Sequence, residues 1–507
     1  MSTGLDVVFV NADSSESAYQ DLATTYAAVE PPTWSLLLAQ SCRSTGSSCA
    51  IVDAPAERLS HEQVVARLIE VNPRLVCFVV YGQNPNSGTV NMSANIACCD
   101  LLKDEWPGAI TCFVGSHTSA LPREVLSHDS VDIVLLNEGI YALRNLLASD
   151  LGQDLEKIHG IGYKVDGVPV LNPPEQVVPS ERMDIDLPGY AWDLLPYSQR
   201  PLDLYRAHFW HAEYSHDKRT PFAAIYTSLG CRFHCDFCMI NIVNRVDNGD
   251  EIDASHSSNM RFWSPEFMVR ELEKLAEMGV ERVRISDEML FLDRRHFEPM
   301  LSGLVQADLG LKMWGYSRID TIRERYLALF KNAGFEWLAV GVEAGNREVR
   351  REVSKGTFKL EDVTSVVKLM HSAGISVAAN YIFGFPEDTP ETMTQTLDLA
   401  LELCTEMVNM YPCQALPGSP LYLKAKRNGW KLPSTYSAYG FLSYDSQPLP
   451  TRHVSAADVL RFRDQAWTTY HTFEPFLNLI ERRFGPDSRA NIENLTKVPL
   501  RRQLLGG

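Results

Sequence analysis

Two runs of alternating apolar strands and amphipathic helices, parted by a proline-rich connector and followed by a mostly helical tail, predict an α/β protein with two successive parallel sheets. Three observations predict this. Strand-like stretches near 5–10, 49–53, 75–81, 109–114 and 131–136 are each followed by helix-period sequence. The alternation restarts at Pro221, with strands expected near 223–228, 282–286, 312–316, 336–342, 375–382 and 406–411. Between the runs, Leu187-Pro-Gly-Tyr-Ala-Trp-Asp-Leu-Leu-Pro196 reads as a linker with aromatic anchors. The expected divisions are 1–150, a hairpin and linker at 151–218, a second α/β unit at 219–420, and an extension at 421–507.

Composition narrows the class. The chain has 507 residues, enough for about three domains, and at 45% hydrophobic content can fill more than one core. Lys and Arg number 47 against 64 Asp and Glu, and the net charge of −17 argues against nucleic-acid or anionic-membrane partners. Met1-Ser-Thr-Gly runs straight into the strand at Leu5, so no signal peptide is expected. The longest apolar run, Leu75 to Val80, falls far short of the about 18 residues a membrane span needs. Eleven cysteines lack framework spacing, and Cys42, Cys49, Cys77, Cys98, Cys99 and Cys112 read as reduced core residues of a cytoplasmic protein.

In the first unit, repeated βα units imply a doubly wound, Rossmann-like sheet, with Gly46 ending a helix and ligands bound beyond the carboxyl ends of the strands. The loops there are Tyr81-Gly-Gln-Asn-Pro-Asn-Ser-Gly-Thr89 after strand three, Gly115-Ser-His-Thr-Ser-Ala-Leu-Pro122 after strand four, and Asn137-Glu-Gly139 after strand five. Small and hydroxyl residues let a large ligand approach the backbone. No Gly-x-Gly-x-x-Gly follows strand one, which disfavours a dinucleotide. In the connector, 160–171 reads as a hairpin around Asp166-Gly167. His208, Trp210, His211, Tyr214 and His216 are spaced too irregularly for a metal site, so a structural or substrate-facing segment is favoured.

The second unit opens on Cys231, Cys235 and Cys238, spaced Cys-x3-Cys-x2-Cys on a loop after the strand at 223–228. Thiolates are the ligands of iron–sulfur clusters, and three leave one iron of a [4Fe–4S] cube open. A zinc knuckle using His234 is the alternative, but zinc ligands are usually spaced in pairs and His234 adjoins Cys235. Ser264-Pro-Glu266 starts a helix that runs to about Gly279. Polar motifs fall at strand ends: Ser286-Asp-Glu288, Tyr316-Ser-Arg318, Gly341-Val-Glu-Ala-Gly345 and Tyr381-Ile-Phe-Gly-Phe-Pro386.

The cysteine spacing, with Phe237 before the last cysteine, resembles the radical S-adenosylmethionine (SAM) superfamily. That resemblance implies a partial (β/α)6 barrel, a [4Fe–4S] cluster on Cys231, Cys235 and Cys238, and SAM on the open iron. It implies SAM contacts from Phe237, Glu288, Ser317, Arg318, Glu343, Gly384 and Pro386. The first unit, with Pro31-Pro-Thr-Trp34 opening a helix and Val52-Asp53 ending strand two, resembles the cobalamin-binding domain of B12-dependent radical SAM enzymes. This implies cobalamin contacts from Tyr81, Ser87, Thr89, Gly115, Ser116, His117, Glu138 and Gly139. His117 either touches the corrinoid's nucleotide tail or hydrogen-bonds within its own loop. Where cobalt-ligating domains carry Asp-x-His-x-x-Gly, this chain has Asn11-Ala-Asp-Ser-Ser-Glu16, so no histidine on cobalt is expected.

The resemblance implies a methyltransferase acting on a small molecule. One SAM methylates cob(I)alamin, another yields the 5′-deoxyadenosyl radical, and methylcobalamin delivers a methyl group to an unactivated carbon or a phosphinate phosphorus. The run Cys238–Arg245 resembles the P-methyltransferases of phosphinate antibiotic pathways. It also implies an external electron donor of flavodoxin or ferredoxin type. An oxidative cyclase or ring-rearranging enzyme is the alternative within the superfamily. A methylthiotransferase is disfavoured by the lack of a second cysteine triad. Outside the class stands a corrinoid/iron–sulfur sensor or electron-transfer protein without turnover, against which the SAM motifs speak. Asn241–Asn248 and Met260–Ser264 flank an insertion that either lines a substrate entrance or covers the cluster. Tyr436, Tyr439, Phe441 and Tyr444 either close the pocket or pack the tail, which ends in basic Arg501-Arg502.

Overall fold

The computed structural model describes residues 4–196, 200–249, 259–353 and 360–507. The first sheet has seven strands: β1 (Val7–Asn11), β2 (Cys49–Asp53), β3 (Leu75–Val80), β4 (Thr111–Gly115), β5 (Ile133–Leu135), β6 (Ile161–Val165) and β7 (Val168–Leu171). Their order is β2-β1-β3-β4-β5-β6-β7, with the first five parallel. Val7 and Phe9 face one core, Val8 and Val10 the other, so both faces are buried as a parallel sheet requires. The order reverses at β1 and β3, and the crevice beyond that point is where such sheets bind ligands. The hairpin expected in the connector joins this same sheet, β6 running antiparallel to β5 and covering what would be its open edge.

The second sheet has six parallel strands in the order β15-β14-β13-β12-β11-β8: β8 (Phe222–Ile225), β11 (Arg282–Ile285), β12 (Lys312–Arg318), β13 (Phe335–Glu343), β14 (Ser376–Phe383) and β15 (Met407–Pro412). Helices link the strands, and the sheet forms a partial barrel. A short ribbon pairs β9 (Ser228–Leu229) with β10 (Arg261–Phe262). The strand expected over 223–228 therefore breaks after Ile225. The cause is Asp287, whose buried carboxylate accepts from the Thr227 N–H and from the Thr227 and Ser228 hydroxyls, turning the chain toward the cysteine loop.

The tail adds helices Ala456–His471, Glu474–Phe484 and Pro486–Leu495. The first packs against the β15 side of the barrel: Arg463 donates to the Met410 carbonyl and Tyr470 to that of Thr405. Residues ahead of it cross back to the first domain, where Gln20 donates to the Leu442 carbonyl. Among the described residues no helix is long and apolar enough to cross a membrane.

Candidate functional site

The cysteine loop is held from below by its own backbone and from the side by two asparagines. Gly230 has a positive φ of +88°, and a Cβ there would sit 2.3 Å from the Asn259 carbonyl oxygen, so the position takes glycine. The Cys238 N–H donates to the Cys235 carbonyl (3.0 Å), and the Cys231 N–H to Asn241 Oδ1 (3.2 Å). Burial pushes the Cys238 thiol up, and Glu288, Cys235 and Cys231 add to the shift. The three sulfurs thus lie within electrostatic reach of one another, in surroundings that disfavour bare thiolates. A positively charged metal group reverses that preference, so the donor set fits an iron–sulfur cluster.

At the barrel strand ends most side chains are steadied by near neighbours in the chain. Arg318 lies over the Phe233 ring (4.0 Å to the centroid), and its Nε and Nη2 donate to Asp320 (3.0 and 2.8 Å). Ser317 shares a hydrogen bond with Thr321 (2.9 Å). Glu343, buried at a shift in the β13–β14 register, has a φ of +66°. The N–H groups of Gly384 and Phe385 both donate to Asp388 (3.0 Å each). Phe237 packs against Phe385 with ring centres 5.5 Å apart, and the Pro386 carbonyl accepts from the Arg452 N–H. Of the acidic pair after β11, Asp287 is the structural member described above and Glu288 lies within electrostatic reach of the Cys238 thiol.

The strand ends of the first sheet face this loop. Tyr81 stacks on Trp34 (4.3 Å) and donates to the Asn137 carbonyl (3.2 Å). Ser87 bonds within its own turn, to the Asn84 carbonyl, and Ser116 donates to the Pro85 carbonyl (2.6 Å). Thr89 and His117 Nδ1 are 3.1 Å apart, the other ring nitrogen lies 3.4 Å from Glu124, and the ring meets Tyr436 edge-on. A Cβ on Gly115 would lie 2.2 Å from the Val80 oxygen, and one on Gly139 2.7 Å from Val114. Glu138, expected to face the ligand, instead gives its carboxylate to Arg261 of β10 (2.8 Å) and to the Val178 N–H. A cavity of about 120 Å³ opens at the β1 and β3 ends, lined by Tyr19, Glu30, Trp34, Tyr81, Ser87 and others.

Sequence reading missed several partners. Glu30 accepts from Arg284 (2.7 Å) inside the barrel and pairs with His208 (2.8 Å), which gives the connector histidine a structural role. Asn137 grips the backbone of Arg245 through both its oxygen (2.8 Å) and its nitrogen (3.1 Å). Asn86 touches the cluster loop. Tyr19, Tyr316 and Tyr411 each keep part of their surface open while burial raises their phenols, and Tyr19 of the first domain lies within electrostatic reach of Tyr316 and Tyr411 of the barrel. Only the repeated amides in the loop at 82–89 hinted at any of this.

Comparisons with known proteins agree with this arrangement. The B12 binding domain model matches residues 19–147 and the Radical SAM superfamily model residues 225–400. The chain is 22% identical to an uncharacterized methyltransferase of Pyrococcus horikoshii, covering 83% of each. It is 27% identical to the anaerobic magnesium-protoporphyrin IX monomethyl ester cyclase of Rubrivivax gelatinosus, over 77% of this chain and 66% of the cyclase. The fold is similar to that of the radical SAM methyltransferase TsrM of Kitasatospora setae, solved with tryptophan and a SAM analog (TM-score 0.67, 18% identity, covering 97% and 98% of the two chains). With a cysteine loop at the end of β8 and an open sheet with its switch point facing that loop, the chain carries a B12-binding domain at 19–147 ahead of a radical SAM domain at 225–400.

Proposed function

We propose that this protein is a cobalamin-dependent radical SAM methyltransferase that methylates an unactivated carbon or a phosphinate phosphorus of a small molecule. The observation that carries the reading is the meeting of the two sets of strand ends, joined by the Asn137 clamp on Arg245 and by the bond from the Met239 N–H to Asn86. When bound, the cluster supplies the electron that cleaves SAM and the corrinoid carries the methyl group, chemistry that side chains cannot provide.

The chain's own residues bind and orient. In this reading Cys231, Cys235 and Cys238 hold the cluster, and Glu288 takes the ammonium of SAM. Arg318, already fixed on Phe233, offers its guanidinium to the carboxylate, with Asp320 as the group it must share. Ser317, Glu343, Gly384 and Pro386 line the remainder, while Phe237 against Phe385 keeps water from the cluster. Tyr81, Ser87, Thr89, Gly115, Ser116, His117 and Gly139 form the corrinoid's bed. Glu138 shapes it at one remove, through Arg261. Domain limits near 150, 218 and 420 follow the same reading, as does a flavodoxin- or ferredoxin-type electron donor.

Anaerobic reactions with methyl-labelled SAM and candidate substrates test it. The reconstituted protein is expected to release 5′-deoxyadenosine and place the label on a small molecule. The triple variant Cys231→Ala, Cys235→Ala, Cys238→Ala is expected to hold no iron and release none, while still binding hydroxocobalamin. A reconstituted cluster that yields no 5′-deoxyadenosine would overturn the reading. A cyclised product without label would favour the cyclase alternative, which the 27% identity to the Rubrivivax gelatinosus protein supports.

A further inference from the structure

Asn86 belongs to the turn after β3, in the first domain, yet its side chain ends at the cysteine loop 152 residues away. Its Oδ1 accepts from the Met239 N–H (3.0 Å), and its Nδ2 lies 3.5 Å from Cys238 Sγ. Cys238 Sγ also lies 3.7 Å from Oδ1, so both ends of the amide are near the sulfur, but a thiolate has no proton to give the oxygen and attracts the NH2 group.

The turn that presents Asn86 is itself held firmly. Pro85 is buried, and its carbonyl accepts from Ser116 of the β4 loop (2.6 Å). Ser87 bonds to the backbone of Asn84 in both directions. Gly88 follows because a Cβ there would lie 2.2 Å from Ser116 Oγ and 2.9 Å from the Val80 oxygen. Met239, the residue Asn86 holds, is wholly buried. The turn that carries the amide is therefore set by the corrinoid-side loops, while the Met239 N–H of the cysteine loop orients the amide itself.

We propose that Asn86 is a positioning residue for the cluster: it donates an N–H···S hydrogen bond to the Cys238 thiolate and so sets the cluster's reduction potential from the cobalamin-binding domain. The inference rests on the cluster assignment in the proposed function. Hydrogen bonds to cluster sulfurs are among the levers that set such potentials. A donor favours the more negative, reduced state, so Asn86 raises the potential and eases reduction by an external donor. Because the same turn lines the cavity at the β1 and β3 ends, movement of that loop would move the donor.

The experiment uses the full chain with its reconstituted cluster and no substrate. An electron paramagnetic resonance redox titration compares wild type, Asn86→Ala and Asn137→Ala. The second variant loosens the neighbouring clamp on Arg245 without touching a thiolate, so it controls for a merely structural contribution. The expected result is a potential more negative in Asn86→Ala than in wild type, with Asn137→Ala at the wild-type value and full iron in all three. A second measurement needs no change at Asn86: with 15N-asparagine labelling, the reduced wild-type cluster should show hyperfine coupling to a side-chain amide nitrogen. Should Asn86→Ala fail to hold iron, the coupling is compared between wild type and Asn241→Ala, because Asn241 is the other asparagine amide at this loop: coupling that survives Asn241→Ala supports Asn86, and its loss there overturns the inference. An unchanged potential in iron-replete Asn86→Ala, an equal shift in both variants, or no coupling in wild type would overturn the inference. Absence of a [4Fe–4S] signal in the wild type would instead overturn the underlying cluster assignment, so the two failures are distinguishable.

Discussion

The strand ends of the barrel and those of the first sheet solve the same problem by different means. In the barrel, polar side chains are steadied by partners a few residues away: Arg318 by Asp320, Ser317 by Thr321, the turn at Gly384 by Asp388. In the first sheet the partners are remote in sequence: Tyr81 with Asn137, Glu138 with Arg261, Asn137 with Arg245, Asn86 with Met239. The first arrangement keeps each loop in shape on its own. The second makes the shape of the corrinoid-side loops depend on the barrel being docked against them.

The strongest way to break that contrast is at the Glu138–Arg261 pair, whose side chains are 2% and 6% exposed. Arg261→Met leaves a buried carboxylate unpaired and is expected to cost about 3–5 kcal/mol, whereas the double change with Glu138→Leu should recover most of it. Removing the barrel-side counterpart, Asp320→Asn, takes away a one-third-exposed partner and should cost less than about 1 kcal/mol. Denaturant unfolding without SAM or cobalamin measures both. Equal costs would erase the distinction between remote and local partners.

A smaller effect sharpens the barrel side. Gly384 has a φ of +87°, and a Cβ there would meet Val459 of the tail helix at 2.4 Å. Gly384→Ala is therefore expected to destabilise by about 1–3 kcal/mol even without SAM, read as a lowered Tm of the unliganded protein. An unchanged Tm would show that the tail helix does not bear on this loop.

The smallest expected effect is pH-dependent and lies at the β2 end. Burial pushes Asp53 up to about 7, against hydrogen bonds from Tyr205 (2.6 Å) and Asn11 (2.7 Å) that pull it down. Its folded-state value lies above the ordinary 3.8, so the folded protein binds more protons than the unfolded chain between about pH 4 and 7. The stability from this group is present at low pH and is lost as pH rises through 7. Asp53→Asn should remove that decline, on the order of 1 kcal/mol between pH 5 and pH 8, measured as Tm against pH. A wild-type profile that rises over this window by the same amount in both proteins would refute the assignment.

The sequence by itself determined the two βα runs, the cysteine loop and the acidic and arginine motifs at the barrel strand ends. All of these are written in local periodicity or in spacings of a few residues, which backbone geometry converts directly into a shared face or a single loop. The tertiary structure alone decided that the connector hairpin extends the first sheet, that β8 is cut short by Asp287, and that Glu138 turns to Arg261. It alone brought Glu30 to Arg284 and Asn86 to Cys238. Each of these contacts joins groups separated by tens to hundreds of residues or lies at the edge of a strand. No periodicity records which remote donor a buried carboxylate or thiol will find; that follows from how two sheets pack and from the rule that polar groups shut away from water must be paired.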